Sequence, residues 1–144
     1  MDSGRYDALK IDNQLCFPLY ACSRLVIKQY KPFLDRLDLT YTQYIALMVL
    51  WEEQSVTVKA LGDKLFLDSG TLTPLLKKLE HKGLVTRTRS SADERNLIVA
   101  ITPQGMALRD EALSIPGALS KCLCLTGEEA GILYGLLHKL LDNR

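Results

Sequence analysis

The stretch from Leu61 to Ile101, LGDKLFLDSGTLTPLLKKLEHKGLVTRTRSSADERNLIVAI, decides the fold. A short helix over Thr57–Phe66 is predicted to break at Leu67-Asp68-Ser69-Gly70. A second helix follows, because Leu72, Leu75, Leu76 and Leu79 recur at the spacing that lines one helical face. Gly83 stops it, as glycine does just past a helix end. Val85 to Arg89 alternates with period two, and Leu97–Ile101 supplies a partner strand across a polar loop. Two helices followed by a two-stranded hairpin outline a winged helix-turn-helix in a mainly α chain. Double-stranded DNA is the first partner such an outline suggests.

At 144 residues the chain fits one domain, and its 47% hydrophobic and 24% charged residues are those of a globular protein. No apolar run approaches the ~18 residues of a membrane span. The N-terminal MDSGRYDALK lacks a signal-peptide layout, so a cytoplasmic protein without membrane contact is expected. Net charge is only +1, yet residues 57–101 hold eight Lys/Arg against five Asp/Glu, a net +3 that leaves −2 elsewhere. A basic lobe on a slightly acidic body suits phosphate contact. Cys16, Cys22, Cys122 and Cys124 form no C-x-x-C, and His81 and His138 stand alone, so neither metal nor cofactor is expected. In a cytosolic protein these are reduced thiols rather than a disulfide framework.

Upstream, Leu15, Leu19, Cys22, Val26, Tyr30, Phe33 and Leu37 mark a long helix, with Asp12 as a cap. Pro18 is expected to kink it or to occupy its first position, and Pro32 to break it near Lys31. Cys16 falls at its N-terminal end, and Cys22, on the apolar stripe, reads as core. Thr40 and Gln43 form a capping box for a core helix over Tyr41–Glu53, with Gln54-Ser55-Val56 as a connector. Thr102-Pro103 opens another helix to about Ser114. Leu119–Leu125 reads as a turn or loop. Thr126 and Glu129 box the last helix, whose leucines want a partner. Residues 8–38 and 103–144 are thus candidate dimerisation helices around a 41–101 DNA-binding lobe, all in one domain.

The second helix of the lobe presents Ser69, Thr71, Thr73 and Pro74 at its start, hydroxyls and a ring suited to base edges and thymine methyls. Lys77 and Lys78 further along, and Arg87 on the wing, suit phosphates. Pro74 predicts a local kink or a start later than Ser69. At the wing tip Arg95 can enter a minor groove, with Asp93 holding its guanidinium.

These residues also carry a family resemblance. DSGTLTPLLKKLE from Asp68, then Gly83-Leu84-Val85, Asp93-Glu94-Arg95-Asn96 and Ile101-Thr102-Pro103-Gln104-Gly105 resemble the MarR family of dimeric transcriptional regulators. The resemblance implies a homodimer joined through its N- and C-terminal helices on a pseudo-palindromic operator. It also implies Arg95 in the minor groove, steadied by Asp93.

Gln14-Leu15-Cys16-Phe17-Pro18-Leu19-Tyr20 and Asp38-Leu39-Thr40-Tyr41-Thr42-Gln43-Tyr44 are similar to the OhrR branch, which responds to organic hydroperoxides. That likeness implies Cys16 as the peroxide-reactive residue, hydrogen-bonded by Tyr30 and Tyr41 of the partner subunit. The chemistry agrees. The thiolate is the nucleophile, a helix N-terminus favours it, and Leu15, Phe17 and Leu19 suit alkyl peroxides. A sulfenic acid at Cys16 would condense with another thiol. Cys22 stands six residues on, ~9 Å of helical rise and beyond the ~7 Å Cα reach of a disulfide. In two-cysteine members of the branch a C-terminal cysteine of the other subunit resolves, which implies Cys122, with Cys124 in reserve. The expected function is a repressor that leaves its operator on oxidation, not an enzyme. The alternative is a MarR-type regulator controlled by a phenolic or lipophilic ligand, with Cys16 incidental.

Overall fold

The computed structural model describes residues 4–90 and 96–144. Among them lie seven α-helices and three strands: α1 (Cys16–Asp35), α2 (Tyr41–Glu53), β1 (Ser55–Thr57), α3 (Val58–Leu65), α4 (Ser69–His81), β2 (Val85–Arg89), β3 (Leu97–Ile101), α5 (Pro103–Ala112), α6 (Ile115–Leu123) and α7 (Gly127–Asp142). They fall into two compact units, Tyr30–Leu113 and the residues up to Gln29 with Ser114–Arg144.

The first of these is a winged helix whose boundaries are set by local capping. Thr40 accepts the Gln43 N–H while Gln43 Oε1 accepts the Thr40 N–H, the reciprocal box that opens α2. Thr57 opens α3 through the Ala60 N–H at 3.0 Å, and Asp68 opens α4 through the Thr71 N–H at 2.8 Å. Helix α4 closes in a Schellman motif. Gly83, at φ +77°, places its own N–H on Glu80 O and lets the Leu84 N–H reach Leu79 O. Buried Leu84 then feeds β2.

Leu47, Leu50, Leu61 and Val99 are fully shielded, and with Leu72, Leu75, Leu76 and Leu79 they weld α2, α3 and α4 to the sheet. Each such leucine contributes ~1.5–3 kcal/mol of burial. The sheet order is β1-β3-β2, antiparallel throughout, with Val99 between Val56 and Arg87. The wing strands β2 and β3 lie where they were expected, but β1 replaces the expected connector. Three residues are too few to show a period; β1 is strand only because β3 pairs with it.

Two prolines are accommodated where breaks were expected. Helix α1 runs through Pro32 to Asp35. The position is exposed, so water can serve the carbonyl that proline leaves without a helical donor. Helix α4 begins at Ser69, not later, and runs through Pro74. The freed carbonyl there belongs to Gly70, at the exposed start of the helix.

In the other unit, Asp12 does not cap α1 but sits in the second of two 3-10 turns, Asp7–Leu9 and Ile11–Asn13. Pro18 is the third residue of α1, where its missing N–H costs nothing. The stretch expected as a loop is helix α6, with Pro116 in its first turn and Ile115 and Leu119, four apart, as its buried face. The box of Thr126 and Glu129 opens α7 as expected, yet α7 buries no residue. Cys22 is exposed rather than core.

Candidate functional site

In the winged unit, α4 turns Leu72, Leu75, Leu76 and Leu79 inward and leaves Ser69, Thr71, Thr73, Pro74, Lys77 and Lys78 exposed. The candidate base-reading and phosphate positions therefore share one free face. The Thr71 N–H, foremost, holds the Asp68 carboxyl below the usual carboxylate range, so the cap stays ionised at neutral pH. Thr73 donates its hydroxyl proton to Ser69 O at 2.9 Å, which leaves its oxygen as an acceptor for an outside donor.

The basic charge of the lobe is sorted by pairing. Arg87 gives its guanidinium to Glu80 Oε1 at 3.1 Å and its backbone N–H to Glu80 Oε2 at 3.0 Å, with the side chain 19% exposed. It ties β2 to α4 rather than standing as a free cation, and its bonds hold the Glu80 carboxyl below the usual range. Lys82 reaches Gln43 Oε1 at 3.2 Å and the Asp38 carbonyl, locking the end of α4 onto the start of α2. Lys64 pairs with Glu53 at 3.6 Å. Lys77 and Lys78 have no ion-pair partner among the described residues, so positive charge is left on the outer face of α4. Asp93 and Arg95, the expected wing-tip pair, lie outside the described residues.

The same unit brings the two candidate sensor tyrosines together. Tyr30, near the end of α1, and Tyr41, first residue of α2, have ring centroids 4.9 Å apart. Tyr44 completes a triangle at 5.8 Å from Tyr30 and 6.3 Å from Tyr41. Burial first, then Tyr41 and Tyr44, push the Tyr30 phenol up to about 12. Burial also raises Tyr41, and burial with Tyr41 raises Tyr44. All three therefore remain protonated hydrogen-bond donors across the physiological range. Tyr44 carried no role in the sequence beyond core, although its place one turn after Tyr41 was a signal that the rings would share a face.

Cys16 belongs to the other unit, as the first residue of α1, and it is exposed. The chain before it is tied by Gln14, whose amide donates to Ala8 O at 2.7 Å and to Lys10 O at 2.8 Å. Leu15, Phe17 and Leu19 are 84%, 47% and 44% exposed, an apolar surround in sequence for the thiol. Cys122 lies in the last turn of α6 and Cys124 just beyond it, at φ 55°; both are exposed. No cluster of three His, Cys, Asp or Glu side chains suited to a metal occurs among the described residues. No helix among them is long and apolar enough to cross a membrane.

Residues 28–112 match the family described as transcriptional regulator SarA/Rot. With the winged-helix geometry above, the chain belongs to the MarR/SarA family of transcriptional regulators. Within it, the chain is 49% identical over 139 residues to the organic hydroperoxide resistance transcriptional regulator of Bacillus subtilis (strain 168), covering 96% of this chain and 95% of that one. Among solved structures it resembles reduced AbfR bound to DNA, with a TM-score of 0.79, 35% identity and coverage of 96% and 97%. Disulfide-formed AbfR, also 35% identical, matches at a TM-score of 0.64 over 97% of this chain and 99% of that one. AbfR comes from Staphylococcus epidermidis.

Proposed function

We propose that the chain is a homodimeric DNA-binding repressor of the cytoplasm that leaves its operator when organic hydroperoxides oxidise Cys16. The observation that carries this is an exposed thiol at the first residue of a helix, in a chain 49% identical to an organic hydroperoxide resistance regulator. The outer face of α4 would enter the major groove, with Ser69, Thr71 and Thr73 at base edges and Lys77 and Lys78 on phosphates. Arg95, steadied by Asp93, is assigned to the minor groove. The exposed apolar residues of α1 and α7, among them Leu25, Ile27, Ile132 and Leu136, are assigned to the dimer interface.

The Cys16 thiolate attacks the outer peroxide oxygen. The O–O bond breaks, the alkoxide leaves as an alcohol after taking a proton, and the sulfur becomes a sulfenic acid. The phenols of Tyr30 and Tyr41 from the partner subunit are assigned to hold the thiolate. A second thiolate, at Cys122 or failing that Cys124 of the partner subunit, attacks the sulfenic sulfur, and hydroxide leaves as water. Overoxidized AbfR is known bound to DNA, which favours the disulfide rather than the oxidised sulfur alone as the releasing state. The protein is a stoichiometric sensor, not an enzyme. A ligand-controlled regulator has less support. The hollow at the starts of α3, α4 and β3, about 390 Å³, is lined by Val58, Leu67, Leu72 and Leu97 together with Lys59, Asp63 and Asp68, and nothing in that mixed lining singles out a phenolic or lipophilic ligand.

Mass spectrometry of the full chain treated with cumene hydroperoxide tests the chemistry. The expected product links Cys16 to Cys122. An unmodified Cys16 beside oxidised C-terminal cysteines would overturn it.

A further inference from the structure

Trp51, the single tryptophan of the chain, sits between the tyrosine triangle and the base of the wing. On one side its ring meets Tyr44 edge-on, with centroids 6.2 Å apart, and Tyr44 is only 2% exposed. On the other side its indole N–H donates to Gly105 O at 3.0 Å. Gly105 in turn is pressed against both wing strands. A Cβ there would stand 2.2 Å from Leu84 O, just before β2, and 2.9 Å from Ile101 Cγ1, at the end of β3. Its neighbour Thr102 donates to Gly83 O at 2.7 Å and caps α5 through the Gly105 N–H, so this backbone cannot move without the wing. The contacts from Tyr30 and Tyr41 through Tyr44 and Trp51 to Gly105 are unbroken, and all lie in one unit. Close packing of this kind transmits a displaced ring rather than absorbing it.

From this geometry we infer that Trp51 is a positioning residue that couples the sensor tyrosines to the wing: its hydrogen bond to Gly105 carries a change at Tyr30 and Tyr41 to the DNA-binding lobe. The inference rests on the proposal that Cys16 oxidation is sensed through those tyrosines. Trp51→Phe isolates the coupling, because it removes one donor and keeps an aromatic ring against Tyr44. It orphans nothing essential, since an α-helix supplies its own donor to the Gly105 carbonyl.

The test uses full-length protein and a labelled duplex selected from a random pool by the reduced wild type, with the Cys16 mass shift followed in parallel. Reduced Trp51→Phe is expected to bind the duplex like wild type and to be modified at Cys16 at the wild-type rate. After oxidation it is expected to hold the duplex about tenfold more tightly than oxidised wild type, the size of an ordinary coupling term. Oxidised Trp51→Phe that loses the duplex as fully as wild type overturns the inference. An unmodified Cys16 in wild type removes the sensing proposal and the inference with it, and the mass spectrum alone identifies that case. Should the variant fail to bind when reduced, the emission of Trp51 in wild type gives the second readout. Peroxide is expected to change that emission in wild type and not in Cys16→Ser; an emission that peroxide leaves unaltered in both overturns the coupling.

Discussion

Tyr30 shows how far one side chain can be read. Its pairing with Tyr41 was implied by the family resemblance, and the place of Tyr44 one turn after Tyr41 hinted at a third ring, but the 4.9 Å contact between Tyr30 and Tyr41 joins two helices and could not be read from spacing. The packing has a measurable consequence. A phenol at 10.0 when unfolded and about 12 when folded keeps its proton longer in the native state. The stabilisation is complete below pH ~10 and is lost as pH rises toward ~12, because the unfolded chain ionises first. Denaturant titrations across that window are expected to show the fall, and Tyr30→Phe is expected to make it shallower. An identical fall in the variant would assign the alkaline loss to other groups. Arg87 gives the opposite lesson. The sequence offered it as a phosphate contact, whereas the fold spends it on Glu80, seven residues back. A pairing set by the turn at Gly83 is invisible until that turn is built.

At the scale of elements, most of what depends on nearest neighbours was legible; the cap expected at Asp12 was not, because a 3-10 turn takes that residue before α1 begins. The caps at Thr40, Thr102 and Thr126 and the stop at Gly83 need only a few residues each, and the structure has all of them. The wing strands were legible for the same reason: five residues suffice to show alternation in β2, and β3 is a short apolar run that supplies its partner across the polar loop. The other departures depended on distant or solvent partners: β1 exists through β3, α6 through the burial of Ile115 and Leu119, and α1 and α4 pass prolines at exposed positions. Helix α4 supplies the prediction at this scale. If Lys77 and Lys78 face phosphates, Lys77→Ala and Lys78→Ala should each weaken binding evenly across sequences and lower the slope of log affinity against log salt by about 1. A loss confined to one base position, with the slope unchanged, would instead place the lysine at a base edge.

For the whole molecule, the two units divide the labour the proposal requires. One carries the exposed Cys16, Cys122 and Cys124 with the apolar faces of α1 and α7; the other carries the tyrosines and the winged lobe. The sequence pointed to both halves because their motifs are contiguous. It could not show that Trp51 bridges the tyrosines and the wing, since that contact joins residues 54 positions apart. The central claim is that the redox state of Cys16 decides whether the lobe holds DNA. The most direct measurement is the affinity of full-length protein for its operator when reduced, after cumene hydroperoxide, and after subsequent dithiothreitol, in wild type and Cys16→Ser. Wild type is expected to lose the operator on peroxide treatment and regain it with dithiothreitol, while Cys16→Ser holds it throughout; a Cys16→Ser protein that releases the operator on peroxide treatment would show that Cys16 is not the switch.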